Sequence, residues 1–457
     1  MIEAINKATD VALSKGVRVL QTHFYGTQRE HVLRHLAEMN PPHGAHIVDA
    51  GSGIGEVARI MLEARPDLSF TLVNVSEYQL SMSPEGCATV LADFTRSGLE
   101  AGCADVVMFN SALCQMPINQ ALSEARRLLK VGGQLFVSDL AIDRYEEFPD
   151  LYATFMPVAQ WGEVIGRHGF ECQAVNAEPG YDAEHFRTAF NDVERFDSMM
   201  TGMQPFVSRF TKQTLERHVA DAIASHERIA LQFSGGKDSL ATLFLLKDHW
   251  PKLTVYWTNT GDPVPEVAAV VAKVRAMVPN FVEIQGRVVE QNKAFGLPSD
   301  LVPTTSTPIG ISAYGSGQRL QDRFQCCYKS LMEPMQDRMA QDGITLIIRG
   351  QKTADTMKSP LRSGALEGST ELLFPIEDWT DDQVFAWLEA NAFVPDYYKE
   401  LAASPDCLTC SAYWSEGRAA WLKRKHPEAY AQYQRKLDTI REAVMPHIAV
   451  FNLEVSQ

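Results

Sequence analysis

The most constraining stretch of the chain is Leu231-Gln232-Phe233-Ser234-Gly235-Gly236-Lys237-Asp238-Ser239. An apolar run from Ile229 to Phe233 reads as a buried parallel strand. A Ser-Gly-Gly turn ends it, and a helical run from Leu240 to Leu246 follows at once. Strand, glycine loop and helix in that order aim backbone N–H groups and a helix N-terminus at an anion. Two adjacent glycines let the backbone approach without a Cβ in the way. Lys237 adds a point charge, and Asp238 and Ser239 sit where an N-cap belongs. A Walker A loop has four residues between its first glycine and Gly-Lys, which this spacing lacks.

At 457 residues the chain is too long for one ordinary core, so two domains are expected. No apolar run approaches the roughly 18 residues of a membrane helix. The N-terminal stretch is amphipathic and carries acids, unlike a signal peptide, so cytoplasmic residence without a membrane partner is expected. The net charge of −15 argues against broad non-specific nucleic-acid binding. Lys423-Arg424-Lys425-His426 is one candidate for a local basic groove, though it reads more readily as a solvated helix face.

Residues 1 to about 40 read as helical, and Pro41-Pro42 ends them. A strand, His46 to Ala50, then enters a Gly51-Ser52-Gly53-Ile54-Gly55 turn that opens a helix, the mark of a nucleotide-type site in a doubly wound sheet. Asp49 precedes the turn. Further strands are expected at Phe70–Val75, before Ala92-Asp93, at Asp105–Phe109 and after Gly132-Gly133, with a last one near 165–175.

Together these features resemble the class I S-adenosylmethionine (SAM) methyltransferases over about residues 40–180. The resemblance implies that Gly51, Gly53 and Gly55 pass close to the methionine part of SAM and that Asp49 orients their loop. It also implies that Asn74 meets the ribose hydroxyls and Asp93 the adenine amino group. The position of Asn74 is usually acidic in that family; an amide accepts through one oxygen only.

In the second half, strand and helix alternate again, which argues for a parallel sheet. Leu253 to Thr258 runs into Asn259-Thr260-Gly261-Asp262, then Pro265-Glu266; later strands are expected at Phe281–Gln285 and Ile344–Ile348. Residues 296–320 form a Gly/Pro/Ser/Thr-rich loop long enough to be an entry loop or lid.

Ser-Gly-Gly-x-Asp-Ser resembles the PP-loop of ATP pyrophosphatases and sulfonucleotide reductases. Over about residues 212–430 the chain resembles the PAPS/APS reductase family, of the adenine nucleotide alpha hydrolase-like fold. The resemblance implies that Ser234, Gly235, Gly236 and Ser239 hold pyrophosphate, with Lys237, Asp238 and Ser239 as the catalytic candidates. It also places Asn259, Gly261, Asp262 and Lys352 at the nucleotide. Lys352 stands where the reductases carry an arginine, and an ammonium offers no bidentate fork to a sulfate.

Eight cysteines divide into a scattered four and a clustered four: Cys326-Cys327 and Cys407-Leu408-Thr409-Cys410. In a reducing compartment, clustered cysteines point to metal or redox chemistry. Four thiolates suit tetrahedral zinc or an iron–sulfur cluster. The Cys-Cys…Cys-x-x-Cys order resembles the 4Fe–4S motif of APS reductases. Those reductases attack sulfur with a cysteine in a C-terminal Glu-Cys-Gly tail, and no cysteine follows Cys410 here.

These readings predict an α/β chain with two doubly wound parallel-sheet domains. A Rossmann-like methyltransferase domain is expected over 1–180, a linker with a helical element over 181–211, and a PP-loop domain over 212–457. The expected cofactors are SAM, ATP (or APS or PAPS) with magnesium, and a 4Fe–4S cluster. The expected function is a methyltransferase fused to an ATP pyrophosphatase that activates a substrate for sulfur insertion. Two alternatives stand beside it: a sulfonucleotide reductase using an external thiol, and a non-catalytic nucleotide- and cluster-binding sensor or scaffold. The acceptor is a small molecule, a nucleotide or a nucleic-acid position. A homodimer and an external sulfur or electron donor complete the expected partners.

Overall fold

The computed structural model describes residues 2–19, 26–148, 153–177, 203–315, 317–355, 361–401, 406–414 and 417–457. The chain divides into two compact units, Met1–Ala222 with Ser359–Leu366 and Ile223–Lys358 with Glu367–Gln457.

The first unit is built on a seven-stranded sheet. In chain order its strands are β1 (His46–Ala50), β2 (Ser69–Asn74), β3 (Ala88–Leu91), β4 (Ala104–Asn110) and β5 (Leu129–Ala141). After the short hairpin β6 (Glu146–Phe148) and β7 (Ala153–Phe155) come β8 (Phe170–Ala177) and β9 (Gln204–Lys212). Their spatial order is β3-β2-β1-β4-β5-β9-β8. The first five strands are mutually parallel, and β9 runs antiparallel between β5 and β8. β1 is flanked on both sides, and Ile47, Val48 and Ala50 are fully buried, so it reads as a short apolar run instead of an alternating one. Helices Ile2–Ser14 and Gln28–Met39 precede the sheet, the second closed by a capping box between Thr27 and Glu30.

The second unit holds a six-stranded sheet in the order β12-β11-β10-β15-β17-β16. Its strands are β10 (Ile229–Gln232), β11 (Leu253–Asn259), β12 (Phe281–Gln285), β15 (Leu346–Ile348), β16 (Leu366–Glu367) and β17 (Thr370–Leu373). β12, β11, β10, β15 and β17 run parallel to one another. A separate two-stranded parallel sheet joins β13 (Leu297–Ser299) to β14 (Leu320–Asp322), so the Gly/Pro-rich loop is pinned at both ends. Two doubly wound α/β sheets in succession are the expected fold class.

Residues 204–212, at the end of the expected linker, form β9 and carry paired sheet hydrogen bonds on both edges. The helical element expected at 184–200 lies outside the described residues. Among the described residues, no helix is long and apolar enough to cross a membrane.

Candidate functional site

In the first unit, β1 ends inside the sheet and its glycine turn closes over the strand end. Gly51, Gly53 and Gly55 all take left-handed φ, at 80°, 56° and 75°. A Cβ on Gly55 would come within 2.7 Å of Pro84 Cδ and 2.8 Å of Leu72 Cδ1, so only glycine fits. The turn lines a cleft with about 310 Å³ of empty space, part of it open to solvent, together with Arg18, Asp49, Glu56 and Asn110.

Asp49 is 1% exposed, and neither carboxylate oxygen has a hydrogen-bond partner among the described residues. Burial pushes its carboxyl up to about 7. A buried acceptor left open is a costly arrangement that a bound donor would relieve. Burial also pushes the Glu56 carboxyl up, but hydrogen bonds from Arg59 and Arg18 outweigh it and bring it below its ordinary value.

Asn74, at the end of β2, braces the turn. Its Nδ2 donates to Gly53 O (3.1 Å) and Gln79 Oε1 (2.8 Å), while its Oδ1 accepts from Ser76 N (3.0 Å). Both amide hydrogens are therefore engaged within the protein. The N-terminal helix reaches this corner through Asn6 to Ser76 and Thr9 to Gln79. Asp93 is exposed and caps a short turn, accepting from Thr95 N and Oγ1 at 2.9 and 2.8 Å.

The second unit repeats the strand–loop–helix device. The helix begins at Lys237 with Gly236 as N-cap, earlier than the expected Asp238 or Ser239. The reason is that Ser239 Oγ turns back onto the loop: it donates to Gly236 O (3.0 Å) and lies 3.1 Å from Ser234 Oγ. Gly235 has φ 84°, and a Cβ there would lie 2.7 Å from Val267 Cγ1. Gly350, following β15, packs so closely on the helix start that a Cβ would sit 2.5 Å from the Asp238 carbonyl carbon.

Two lysines meet three aspartates at this helix start. Lys237 Nζ contacts Asp238 Oδ2 (2.9 Å) and Asp381 Oδ1 (3.1 Å). Lys352 Nζ, on a side chain 1% exposed, contacts Asp238 Oδ1 (2.6 Å), Asp355 Oδ1 (2.9 Å) and Asp381 Oδ1 (3.2 Å). Burial would lower the Lys352 ammonium, but hydrogen bonds to Asp238 and Asp355 prevail and hold it well above its ordinary value. Two tyrosines complete the loop: Lys237 N donates to Tyr398 Oη (2.8 Å), and Tyr397 Oη donates to Gly235 O (2.9 Å).

The structure brings the four clustered cysteines to one pocket. Cys326, Cys327, Cys407 and Cys410 line about 440 Å³ of empty space with Asp262, Asn292, Arg323, Tyr413 and Lys436. Burial pushes the Cys326 thiol up to about 11 and the Cys327 thiol up to about 12; burial and the Asp406 charge lift Cys407 well above its ordinary value. Among the described residues, no three Cys, His, Asp or Glu side chains already stand close enough to share a metal ion. Four thiols, Cys326 buried and the other three half-buried, line one pocket with Arg323 and Lys436 on its wall, and thiol donors suit a soft metal.

The strand-end residues divide their roles. Asn259 Oδ1 accepts from Gly261 N (3.0 Å), an Asx turn, and its Nδ2 donates to Glu283 (2.9 Å). Asp262 turns toward the Cys407–Cys410 segment. Within the basic run at 423–426, Arg424 and Lys425 contact Glu400, and His426 contacts Glu266.

Sequence reasoning did not assign Asp355, Asp381, Tyr397 or Tyr398 to the phosphate loop. Tyr397 and Tyr398 stand about 160 residues after the loop they complete, and nothing local in the sequence places them there.

Residues 48–137 match the methyltransferase domain family, and residues 228–395 match the phosphoadenosine phosphosulfate reductase domain family. A ribosomal RNA-processing protein 8 from Caenorhabditis briggsae is 29% identical over 125 residues, 27% of this chain and 31% of that protein. The chain thus spans about a third of the curated relative it matches. Similar solved structures include the (4+2)-cyclase SpnF, at 14% identity and TM-score 0.42 over 47% of this chain and 95% of that one. A sarcosine dimethylglycine methyltransferase from Galdieria sulphuraria is similar at 14% identity and TM-score 0.38 over 46% of this chain and 98% of that one.

Proposed function

We propose that this chain, a methyltransferase domain joined to a phosphoadenosine phosphosulfate reductase-type domain, is a bifunctional modifying enzyme. In this reading the first domain transfers a methyl group from SAM. The second splits ATP to activate an acceptor for sulfur insertion. The observation that carries the reading is that one domain holds both a two-lysine glycine loop and a pocket lined by four cysteines.

In the first domain, Gly51, Gly53 and Gly55 admit the methionine part of SAM at the strand end, and the open Asp49 carboxylate accepts from a donor there. Asn74 holds the turn's shape through Gly53. In the second domain, Gly235 and Gly236 present backbone N–H groups, and Lys237 and Lys352 carry the charge that steadies a polyphosphate. An acceptor oxygen attacks the α-phosphorus and pyrophosphate leaves; a sulfur nucleophile then displaces AMP. Asp238, Asp355 and Asp381 outnumber the two lysines, which favours a magnesium-bound triphosphate over a bare sulfonucleotide. The four thiols would ligate a 4Fe–4S cluster, whose chemistry when bound is to carry sulfur or electrons. The match to the reductase domain favours a second reading, reduction of adenylyl sulfate with an external thiol.

The test is anaerobic purification with iron and sulfide assay, followed by turnover with ATP or adenylyl sulfate and candidate acceptors. Acceptor-dependent pyrophosphate release supports the first reading and sulfite release the second. Absence of both, with neither nucleotide bound, contradicts the enzyme. Colourless protein with stoichiometric zinc contradicts the cluster.

A further inference from the structure

The acidic residue that follows the second nucleotide strand is engaged with the cysteine pocket. Asp262 Oδ2 accepts from Thr409 N (2.9 Å) and Thr409 Oγ1 (2.5 Å), and its backbone oxygen accepts from Leu408 N (2.7 Å). Pro263 forms a β-bridge with Cys407. From the other side, Lys436 Nζ donates to Thr409 O (2.8 Å) and Oγ1 (2.6 Å). Thr409, between the two cysteines, is 4% exposed and is the knot of this network.

The same segment borders the phosphate loop. β11 pairs with β10 in parallel, so Asn259–Asp262 and Ser234–Gly236 leave the sheet at the same edge, where open α/β sheets take ligands. The helix Pro265–Arg275 that continues from it supplies Val267, which fills the space a Cβ on Gly235 would need. A ligand ordering one strand end bears on a segment hydrogen-bonded to the cysteine turn.

We propose that Asp262 and Thr409 are positioning residues that couple nucleotide occupancy of the glycine loop to the geometry of the Cys407–Cys410 turn. This rests on the reading of the loop as a nucleotide site. The amides of Leu408 and Thr409 report the coupling directly, because both donate to Asp262. Their exchange with solvent tracks opening of that contact, whatever occupies the cysteine pocket.

The experiment is hydrogen–deuterium exchange on the purified full chain, followed by mass spectrometry of peptides covering 406–414, with and without MgATP. Nucleotide uptake is measured on the same samples by equilibrium dialysis. Bound MgATP is expected to slow exchange at 408–409 at least fivefold. Thr409→Val, which loses the hydroxyl shared by Asp262 and Lys436, should take up MgATP yet lose most of that slowing; Thr409→Ser should restore it. Bound MgATP with exchange changed less than twofold in the wild-type chain overturns the proposal. So does a Thr409→Val response equal to that of wild type. A chain that takes up neither MgATP nor adenylyl sulfate overturns the nucleotide reading beneath the proposal, and the proposal with it.

Discussion

The loops at Gly51–Gly55 and Ser234–Ser239 each follow an early parallel strand and present backbone N–H groups, with three left-handed glycines in the first and Gly235 in the second, but their charges stand in opposite conditions. At the first loop the Asp49 carboxylate is buried and has no hydrogen-bond partner among the described residues, which leaves an unmet acceptor. At the second, Lys237 and Lys352 are already neutralised by Asp238, Asp355 and Asp381, and Tyr398 takes the Lys237 N–H. The first site gains an interaction when a donor arrives. The second must exchange internal partners for external ones, which suits a ligand that brings its own cation.

The buried groups of the first unit respond to pH in opposite directions. His168 and His218, in the first unit, are buried; burial lowers them to about 4 and about 3. Each folded-state value lies below the unfolded one, so the neutral form's stabilisation is present above about pH 6.5 and fades as pH falls toward 4. Asp49 works oppositely, because its raised carboxyl favours the folded chain as pH falls through about 7. In Asp49→Asn the histidine slope stands alone, about 2 kcal/mol per histidine between pH 7 and pH 5. Wild type should lose roughly half as much over the same range. Urea titrations at the two pH values read the difference, and equal slopes would remove Asp49's assigned role.

Gly350→Ala drives a Cβ into the Asp238 backbone. It should destabilise the second unit by about 3 kcal/mol and abolish MgATP uptake while SAM uptake survives. At pH 8 the ligand-free Asp49→Asn chain should be more stable than wild type by about 2 kcal/mol, yet bind SAM at least about tenfold more weakly. Asp381→Asn removes a largely exposed carboxylate from both lysines. It should tighten metal-free adenylyl sulfate about fivefold, close to 1 kcal/mol, with a smaller gain for MgATP. A loss of affinity for both would mean that Asp381 itself serves the ligand.

Much of this was legible from the sequence, because the signals are local. The two glycine loops and the strands Ile229–Gln232 and Phe281–Gln285 follow from short-range chemistry. β9 was not legible: Gln204–Lys212 is a strand because β5 and β8 pair with both its edges, and that partnership is tertiary. Asp381 and Tyr398 carry no mark of the phosphate loop until the fold brings them back to it. Asp262 was placed at the nucleotide strand end; its side chain proves to hold the cysteine turn, which no spacing rule encodes.

Two separate adenosine-cofactor cradles in one chain are tested directly by equilibrium dialysis of this 457-residue chain against SAM and MgATP together. One equivalent of each, bound at once and without competition, is the expected result. Competition for a single site, or failure of either ligand to bind at millimolar concentration, would contradict it.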